Sequence, residues 1–306
     1  MSTEEPTVAS TEAEARAAFL SRVCGPALGA RALLERAAEL LPGAVDTASD
    51  IETALAELAA HATRRPAPAA PAAWGLDLAT GALRRVAVPE PGSPVGVAAG
   101  LTWVAALESG LAQHCEALLA ERLGAPGTRL PRMHLGSGAH GVPGGPGVPD
   151  ALLGALRAAG GFVAHDLSGL LSLPACAVTL APRAEPAADG GPDGGPDGAP
   201  DSAPDPAAHT VVATGATLTE AARTAVLRAL SARGARAAGR PVRHAFPAIG
   251  RDREEADCRP LPAAQWSHPL DALRSQGHCP VAVLPDHDAR VGEVLPYLVR
   301  IVLPAG

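Results

Sequence analysis

The stretch VGVAAGLTWVAALESGLAQHCEALLAERL, Val95 to Leu123, decides how the rest of the chain is read. A run of small residues, Gly96 to Gly100, leads into Thr102, whose hydroxyl suits a helix N-cap. A helical pattern then continues to Leu123 without proline and with one internal glycine, Gly110. Val104, Ala105, Leu107, Leu111, Ala112, Cys115, Leu118 and Leu119 recur at helical spacing and form the expected core-facing stripe. By itself this periodicity shows a packed helix behind a glycine-containing turn.

Working outward, the composition bounds the rest. The chain has 306 residues, 47% of them apolar, enough for one large core or two smaller ones. A net charge of −7 argues against a general nucleic-acid surface. Every basic residue is arginine; without lysine, a P-loop and a lysine nucleophile are excluded. The five cysteines, Cys24, Cys115, Cys176, Cys258 and Cys279, are scattered and never form CxxC. With no signal peptide and no long apolar run, the expectation is a reduced, cytoplasmic protein with no membrane segment.

Before the central stretch, Thr11 to Leu41 reads as helix broken near Cys24-Gly25-Pro26, and Ser49 to Ala62 as a further helix. Thr63 to Ala73 is an Ala/Pro linker. Asp77 to Gly81 carries turn chemistry between two short strands, the second being Leu83 to Val88. After the central stretch, Gly136-Ser-Gly-Ala-His-Gly141 matches GxGxxG, but Val142-Pro-Gly-Gly-Pro146 follows where a helix must begin, so it reads as loop.

From Pro149 the pattern is helix (Ala151 to Ala159), strand (Phe162 to Leu167) and strand (Leu173 to Ala181). A low-complexity insert of Gly-Gly-Pro-Asp and Ala-Pro-Asp, 183–208, follows and is expected to be disordered. Thr210 to Gly215 resumes as strand, and Thr217-Leu-Thr-Glu220 is a capping box that opens a helix to about Ala238. Gly239 to Gln265 reads as a polar connector. Pro269 to Ser275 is a short helix, Pro280 to Leu284 a strand, and Tyr297 to Leu303 a terminal strand expected to lie exposed at a sheet edge.

The order of residues in AAGLTWVAALESGLAQHCEAL resembles the central helix of the YcaO family, ATP-dependent enzymes that activate backbone amides of ribosomal peptides. Members show a segment like S-A-G-N-T-x-E-E-A-x-x-Q-G-L-x-E-x-x-E-R-D-A, and Ala98, Ala99, Gly100, Thr102, Ala106, Gly110, Leu111 and Glu116 keep its frame. The hairpin around Asp77-Leu-Ala-Thr-Gly81, the Thr214-Gly-Ala216 helix entry and the terminal Pro296 to Pro304 also resemble the family, so the likeness covers about Trp74 to Gly306. It does not include the proline-rich tail of cyclodehydrating members.

In the family, Ser, Glu, Gln, Glu and Arg along the central helix hold ATP and Mg²⁺. The matching positions here are Ala98, Ala105, Ser109, Gln113 and Ala117. The last four, at i, i+4, i+8 and i+12, form one slowly turning stripe, and Glu116 falls about 20° from Ala105 on the helical wheel. Ser109, Gln113 and Glu116 are therefore the nucleotide-site remnants that the resemblance implies. The acid and amide of the family's last helix become Arg228 and Ser231, and Leu34-Glu35-Arg36 echoes only the end of its first ATP motif, with Arg31 at the serine position.

One carboxylate beside a Gln and a Ser does not supply the several hard oxygens that metal-bound triphosphate needs. His114-Cys115-Glu116 lacks the PCxxC of zinc deaminases. Asp286-His287-Asp288 reads as a polar loop, and Cys115 and Cys176 as small hydrophobes. Neither a catalytic residue nor a metal ligand set is assigned.

The resulting expectation is an α+β protein: a helical N-terminal region with a linker, residues 1–71, then a YcaO-like domain, 72–306, of mixed β-sheets packed by two long helices. The resemblance implies a role in biosynthesis of a ribosomally made peptide carrying azoline, azole or thioamide groups. With its ligands missing, the chain is read as a non-catalytic partner that binds precursor peptide, an active YcaO or a leader-binding subunit, with a homodimer possible and no cofactor. The alternatives are a divergent cyclodehydratase using ATP and Mg²⁺, and an unrelated binding module.

Because 183–208 contains no aromatic or branched aliphatic residue to bury, replacing Glu185 to Pro206 with a short Gly/Ser link is expected to leave the thermal midpoint nearly unchanged. Differential scanning calorimetry checks this; aggregation or a large loss of midpoint would mean that the segment packs.

Overall fold

The computed structural model describes residues 11–44, 51–63, 72–88, 95–124, 130–136, 147–180, 209–237, 245–247, 266–285, 287 and 289–304. The low-complexity insert, the GxGxxG loop beyond Gly136, Asp286, Asp288 and most of the 239–265 connector lie outside the described residues. In chain order the elements are α1 (Glu12–Val23), α2 (Ala30–Leu40), α3 (Ile51–Thr63), β1 (Ala73–Asp77), β2 (Leu83–Val86), β3 (Val97–Ala99) and α4 (Trp103–Gly124). There follow α5 (Asp150–Ala159), β4 (Phe162–Asp166), α6 (Ser168–Leu171), β5 (Ala175–Leu180), β6 (His209–Thr214), α7 (Leu218–Ala237) and β7 (Ala245–Pro247). The chain ends with α8 (Pro269–Ser275), β8 (Val281–Val283), α9 (Ala289–Val294) and β9 (Leu298–Val302). The fold class is α+β, and the two long helices are α4 and α7.

The chain forms two compact units, Met1–His114 with Pro269–Gly306, and Cys115–His268. In the first, five strands run in the order β2-β1-β8-β9-β3. Asp77 makes the β1–β2 turn: its Oδ1 accepts from the N–H groups of Ala79 and Thr80 at 2.9 and 3.0 Å, and Arg84 pairs with its Oδ2 at 3.1 Å. Burial alone would raise this carboxyl, but those N–H groups, the Thr80 hydroxyl and the arginine charge hold it below its ordinary value. Leu33, Ala37 and Leu58 of the N-terminal helices bury against Val97, Ala99, Val294 and Leu298. Val86, Val281, Val283 and Val302 form a smaller cluster.

The second unit is a four-stranded sheet, β4-β5-β6-β7, with the alanine face of α7 on β5 and β6. Ala221, Ala222, Ala225 and Ala229 are fully buried there beside Val178, Val211 and Ala213, with Leu153 and Leu156 of α5 completing the cluster. Leu180 pairs directly with His209, so the insert leaves and rejoins the sheet at opposed positions of one hairpin.

Four expectations are corrected. The described strand pairs are all antiparallel, so the sheets are not mixed. β9 is not an edge strand: it lies between β8 and β3, and four of its five residues are buried, as a near-continuous apolar run requires when both faces are covered. A strand, β7, interrupts the expected connector at Ala245–Pro247. The core stripe of α4 is Trp103, Ala106, Gly110, Leu111, Cys115, Leu119 and Leu123; Val104 is 59% exposed and Ala105 exposed, because the first turn turns its other side inward.

Both long helices are entered in the same way, strand–Gly–x–Thr–helix. Thr102 Oγ1 accepts from the Ala105 N–H at 3.1 Å, and Thr217 Oγ1 from the Glu220 N–H at 3.2 Å. Glu220 Oε2 accepts from the Ala216 N–H at 3.1 Å, one residue before the N-cap, so the return half of the expected capping box is shifted by one residue. In each entry the glycine lies against the first turn: a Cβ on Gly100 would stand 2.5 Å from the Ala106 nitrogen, and one on Gly215 2.7 Å from the Ala221 nitrogen. Exchanging either glycine for alanine must displace backbone and is expected to cost about 2–3 kcal/mol. Gly154, exposed within α5 with open space around it, is the control: Gly154→Ala should stabilise by roughly 0.5–1 kcal/mol. Urea unfolding of the three variants checks the opposite signs.

Candidate functional site

Three polar side chains on α4, Gln113, His114 and Glu116, meet strands of the sheets. In the first unit, the Gly96 N–H donates to Gln113 Oε1 at 2.9 Å, and Gln113 Nε2 donates to the Val97 carbonyl at 3.1 Å. Val97 is on β3, an edge strand among the described strands, with no described ladder partner for its outward carbonyl, so the primary amide stands in for a neighbouring strand, one acceptor and one donor. The next residue, His114, donates from Nε2 to the Ile301 carbonyl at 2.9 Å. Burial lowers its pKa; the Ile301 bond opposes that shift and the charge of His278 adds to it. Gly110, one turn earlier, lets α4 lie against β9: a Cβ there would be 2.7 Å from Ile301 Cγ1. Ser109 is half-buried.

In the second unit, Glu116 is 2% exposed. Its Oε1 accepts from the Thr214 N–H at 3.3 Å and from Arg228 Nη1 at 2.7 Å, and the same Nη1 reaches the Val212 carbonyl at 3.3 Å. The location explains the pair. Among the described residues β7 pairs with β6 at His209, Thr210 and Val211, and the described ladder ends short of Val212 and Thr214. Residues two apart on a strand direct their backbone groups to the same side. The carboxylate takes the N–H that the ladder leaves open, and the guanidinium takes the C=O. Glu116 Oε2 and the Thr214 hydroxyl are buried without a hydrogen-bond partner.

The two buried cysteines, Cys115 and Cys176, are held in the thiol form. Burial, with a smaller contribution from the neighbouring Glu116 charge, pushes the Cys115 thiol up to about 12. Burial first and Asp166 second raise Cys176 further. Among the described residues no three His, Cys, Asp or Glu side chains cluster to hold a metal, and no helix is long and apolar enough to cross a membrane.

The structure therefore gives Gln113 and Glu116 specific partners, in their own units, and brings Arg228 to Glu116. Sequence reasoning singled out Gln113 and Glu116 but missed that Arg228 pairs with Glu116. The charge change at Arg228 was visible, but its partner 112 residues away was not.

Neither a known protein family nor a curated protein matches the chain by sequence. Among solved structures it is similar to a heterocyclase in complex with substrate and cofactor (14% identity, TM-score 0.49) over 76% of this chain and 32% of that one. It is also similar to the heterocyclase TruD (11%, TM-score 0.46; 76% and 34%). A third is the E. coli microcin synthetase McbBCD complex with pro-MccB17 bound (12%, TM-score 0.46; 76% and 63%). The chain thus spans about a third of the length of the first two. At these identities and scores, the case for the site rests on the chain's own residues.

The ion pair predicts an asymmetry. Arg228→Ala leaves a buried carboxylate without its counter-charge and should cost about 3 kcal/mol. Glu116→Gln leaves a guanidinium that is already 33% exposed and can turn to water, so about 1 kcal/mol is expected. Guanidinium chloride unfolding of the two variants measures the order; equal or reversed losses would contradict the reading of Glu116 as the buried partner.

Proposed function

We propose that this chain is a YcaO-like protein that acts in the maturation of a ribosomally made peptide of azoline, azole or thioamide type, as a non-catalytic partner of an active YcaO or leader-binding subunit. Support for the pathway comes from the residue frame of Ala98 to Glu116 and its flanking hairpin. Support for a non-catalytic role comes from one observation: the polar side chains that survive on α4 are engaged by the fold. Gln113 is held by Gly96 and Val97, and Glu116 Oε1 by Thr214 and Arg228. Clamping a triphosphate takes metal ligands and cations aimed at phosphate oxygens, and the aligned positions offer Ala105, Ser109, Gln113 and Ala117.

The free Oε2 of Glu116 favours a second reading, a divergent ATP-dependent cyclodehydratase that uses this oxygen. Calorimetry separates the two. The proposal expects no heat of binding from ATP with Mg²⁺ at millimolar concentration; a micromolar, Mg²⁺-dependent site weakened by Glu116→Ala would establish the second. Co-expression with a motif-complete YcaO, a leader-binding subunit and precursor peptide, followed by size exclusion, tests partnership. Co-elution is expected. A chain that ignores all three, with product forming equally fast in its absence, would overturn the proposal.

A further inference from the structure

We infer that the two units carry two copies of one α-β-α-β-β-α module, the copy in the first unit being opened at its last hairpin, and that Gln113 and Arg228 hold the same place in it. The inference is independent of the peptide-maturation reading.

In chain order the second unit contains α5-β4-α6-β5-β6-α7. The first contains the same series as α8-β8-α9-β9 followed by β3-α4, although β3 and α4 come earlier in the chain. The strands of each triplet are neighbours in the same order, β4-β5-β6 and β8-β9-β3, and all pair antiparallel. Their registers coincide. With Leu298 set on Ala175, the pairs Leu298–Ala99, Val299–Ala98 and Arg300–Val97 fall on Ala175–Thr214, Cys176–Ala213 and Ala177–Val212. The same setting places Val281-Ala282 of β8 on Val163-Ala164 of β4. A slip of one residue would turn one set of side chains to the opposite face. The packing agrees too: Gly110 lies against Ile301 and Ala98, and their counterparts Ala225, Val178 and Ala213 share one core cluster.

The sequence repeats with the structure. Val97-Ala-x-Gly100-x-Thr102-x-x-x-Ala106 recurs as Val212-Ala-x-Gly215-x-Thr217-x-x-x-Ala221. The Gly100 N–H donates to the Tyr297 carbonyl and the Gly215 N–H to the Pro174 carbonyl, both at 3.1 Å. Each acceptor stands just before the first residue of the paired strand. At the same distance along both helices, a side chain returns to the carbonyl of the motif's first valine: Gln113 Nε2 to Val97 at 3.1 Å, and Arg228 Nη1 to Val212 at 3.3 Å. The strands explain why the two residues differ. β3 begins at Val97, and Gly96, at φ 83°, donates its N–H to Gln113 Oε1 at 2.9 Å, so the first copy uses an acceptor as well as a donor. Val211, the counterpart of Gly96, lies inside β6 in register with Val178, so the second copy uses a donor alone, which is all that a guanidinium offers.

Exchanging the two clamps in the full chain tests the equivalence. Glu116→Gln first removes the neighbouring acid, and in that background Arg228→Gln is compared with Arg228→Met by thermal unfolding. Glutamine, the first copy's residue, is expected to melt about 2–4 °C above methionine, as one restored carbonyl bond implies. At position 113 the expected order of midpoints is wild type, then Gln113→Arg, which keeps a donor only, then Gln113→Met. Equal midpoints for glutamine and methionine at 228, or for wild type and Gln113→Met, overturn the shared clamp. If the Glu116→Gln variants do not fold, the position 113 series decides by the same order. A crystal structure in which the two strand triplets differ in register by one residue overturns the duplication itself. Either failure leaves the peptide-partner proposal standing, because that proposal is judged on binding to nucleotide and to partners.

Discussion

A carboxylate withdrawn from water must be given donors and an opposite charge, or it costs several kcal/mol. Glu116 is such a group, and the second unit is arranged to meet its demand. Thr214 brings the last N–H of β6 and α7 brings Arg228. The exchange runs both ways, since among the described residues the β6–β7 ladder ends at Val211 and the groups of Val212 and Thr214 need partners too. One ion pair therefore closes a strand edge and neutralises a buried acid, which ties α7 to the register of β6.

The first unit solves the same problem without charge. β3 is three residues long and stands at an edge, buried under α3. Its carbonyl at Val97 is met by the Gln113 amide, and the Ile301 carbonyl by the His114 ring. Reading the polar face of α4 as ligand remnants or as sheet-edge partners leads to different functions. The Gln113 amide is bonded at both ends to backbone of its own unit, which is the observation the proposed function builds on.

Much of the architecture was legible because it is local. Helix caps at Thr102 and Thr217, the Asp77 turn, the break at Gly25-Pro26 and most of the strands follow from neighbours within a few residues in sequence. The errors fall where long-range packing decides. Val104 and Ala105 fit the apolar period, but they lie in the first turn of α4, where Trp103 and Ala106 are the residues turned inward. Tyr297 to Leu303 looked like a free terminal strand, although an apolar run in Leu298–Val302 with a single polar residue already signals burial on both faces. At the site, helical spacing placed Ser109, Gln113 and Glu116 near one another on the wheel, yet no periodicity could indicate that Arg228 would meet Glu116 across 112 residues. The polar partners of edge strands are set by where the ladders stop, and that is a property of the assembled sheet.

The direct measure of this account is the coupling energy between Glu116 and Arg228, from a double-mutant cycle of Glu116→Gln, Arg228→Met and the pair, read by denaturant unfolding. A buried, hydrogen-bonded pair predicts a coupling of about 2 kcal/mol, with the double variant more stable than the single Arg228→Met. A coupling near zero, with both single losses simply adding, would contradict the claim that Glu116 is held by the fold.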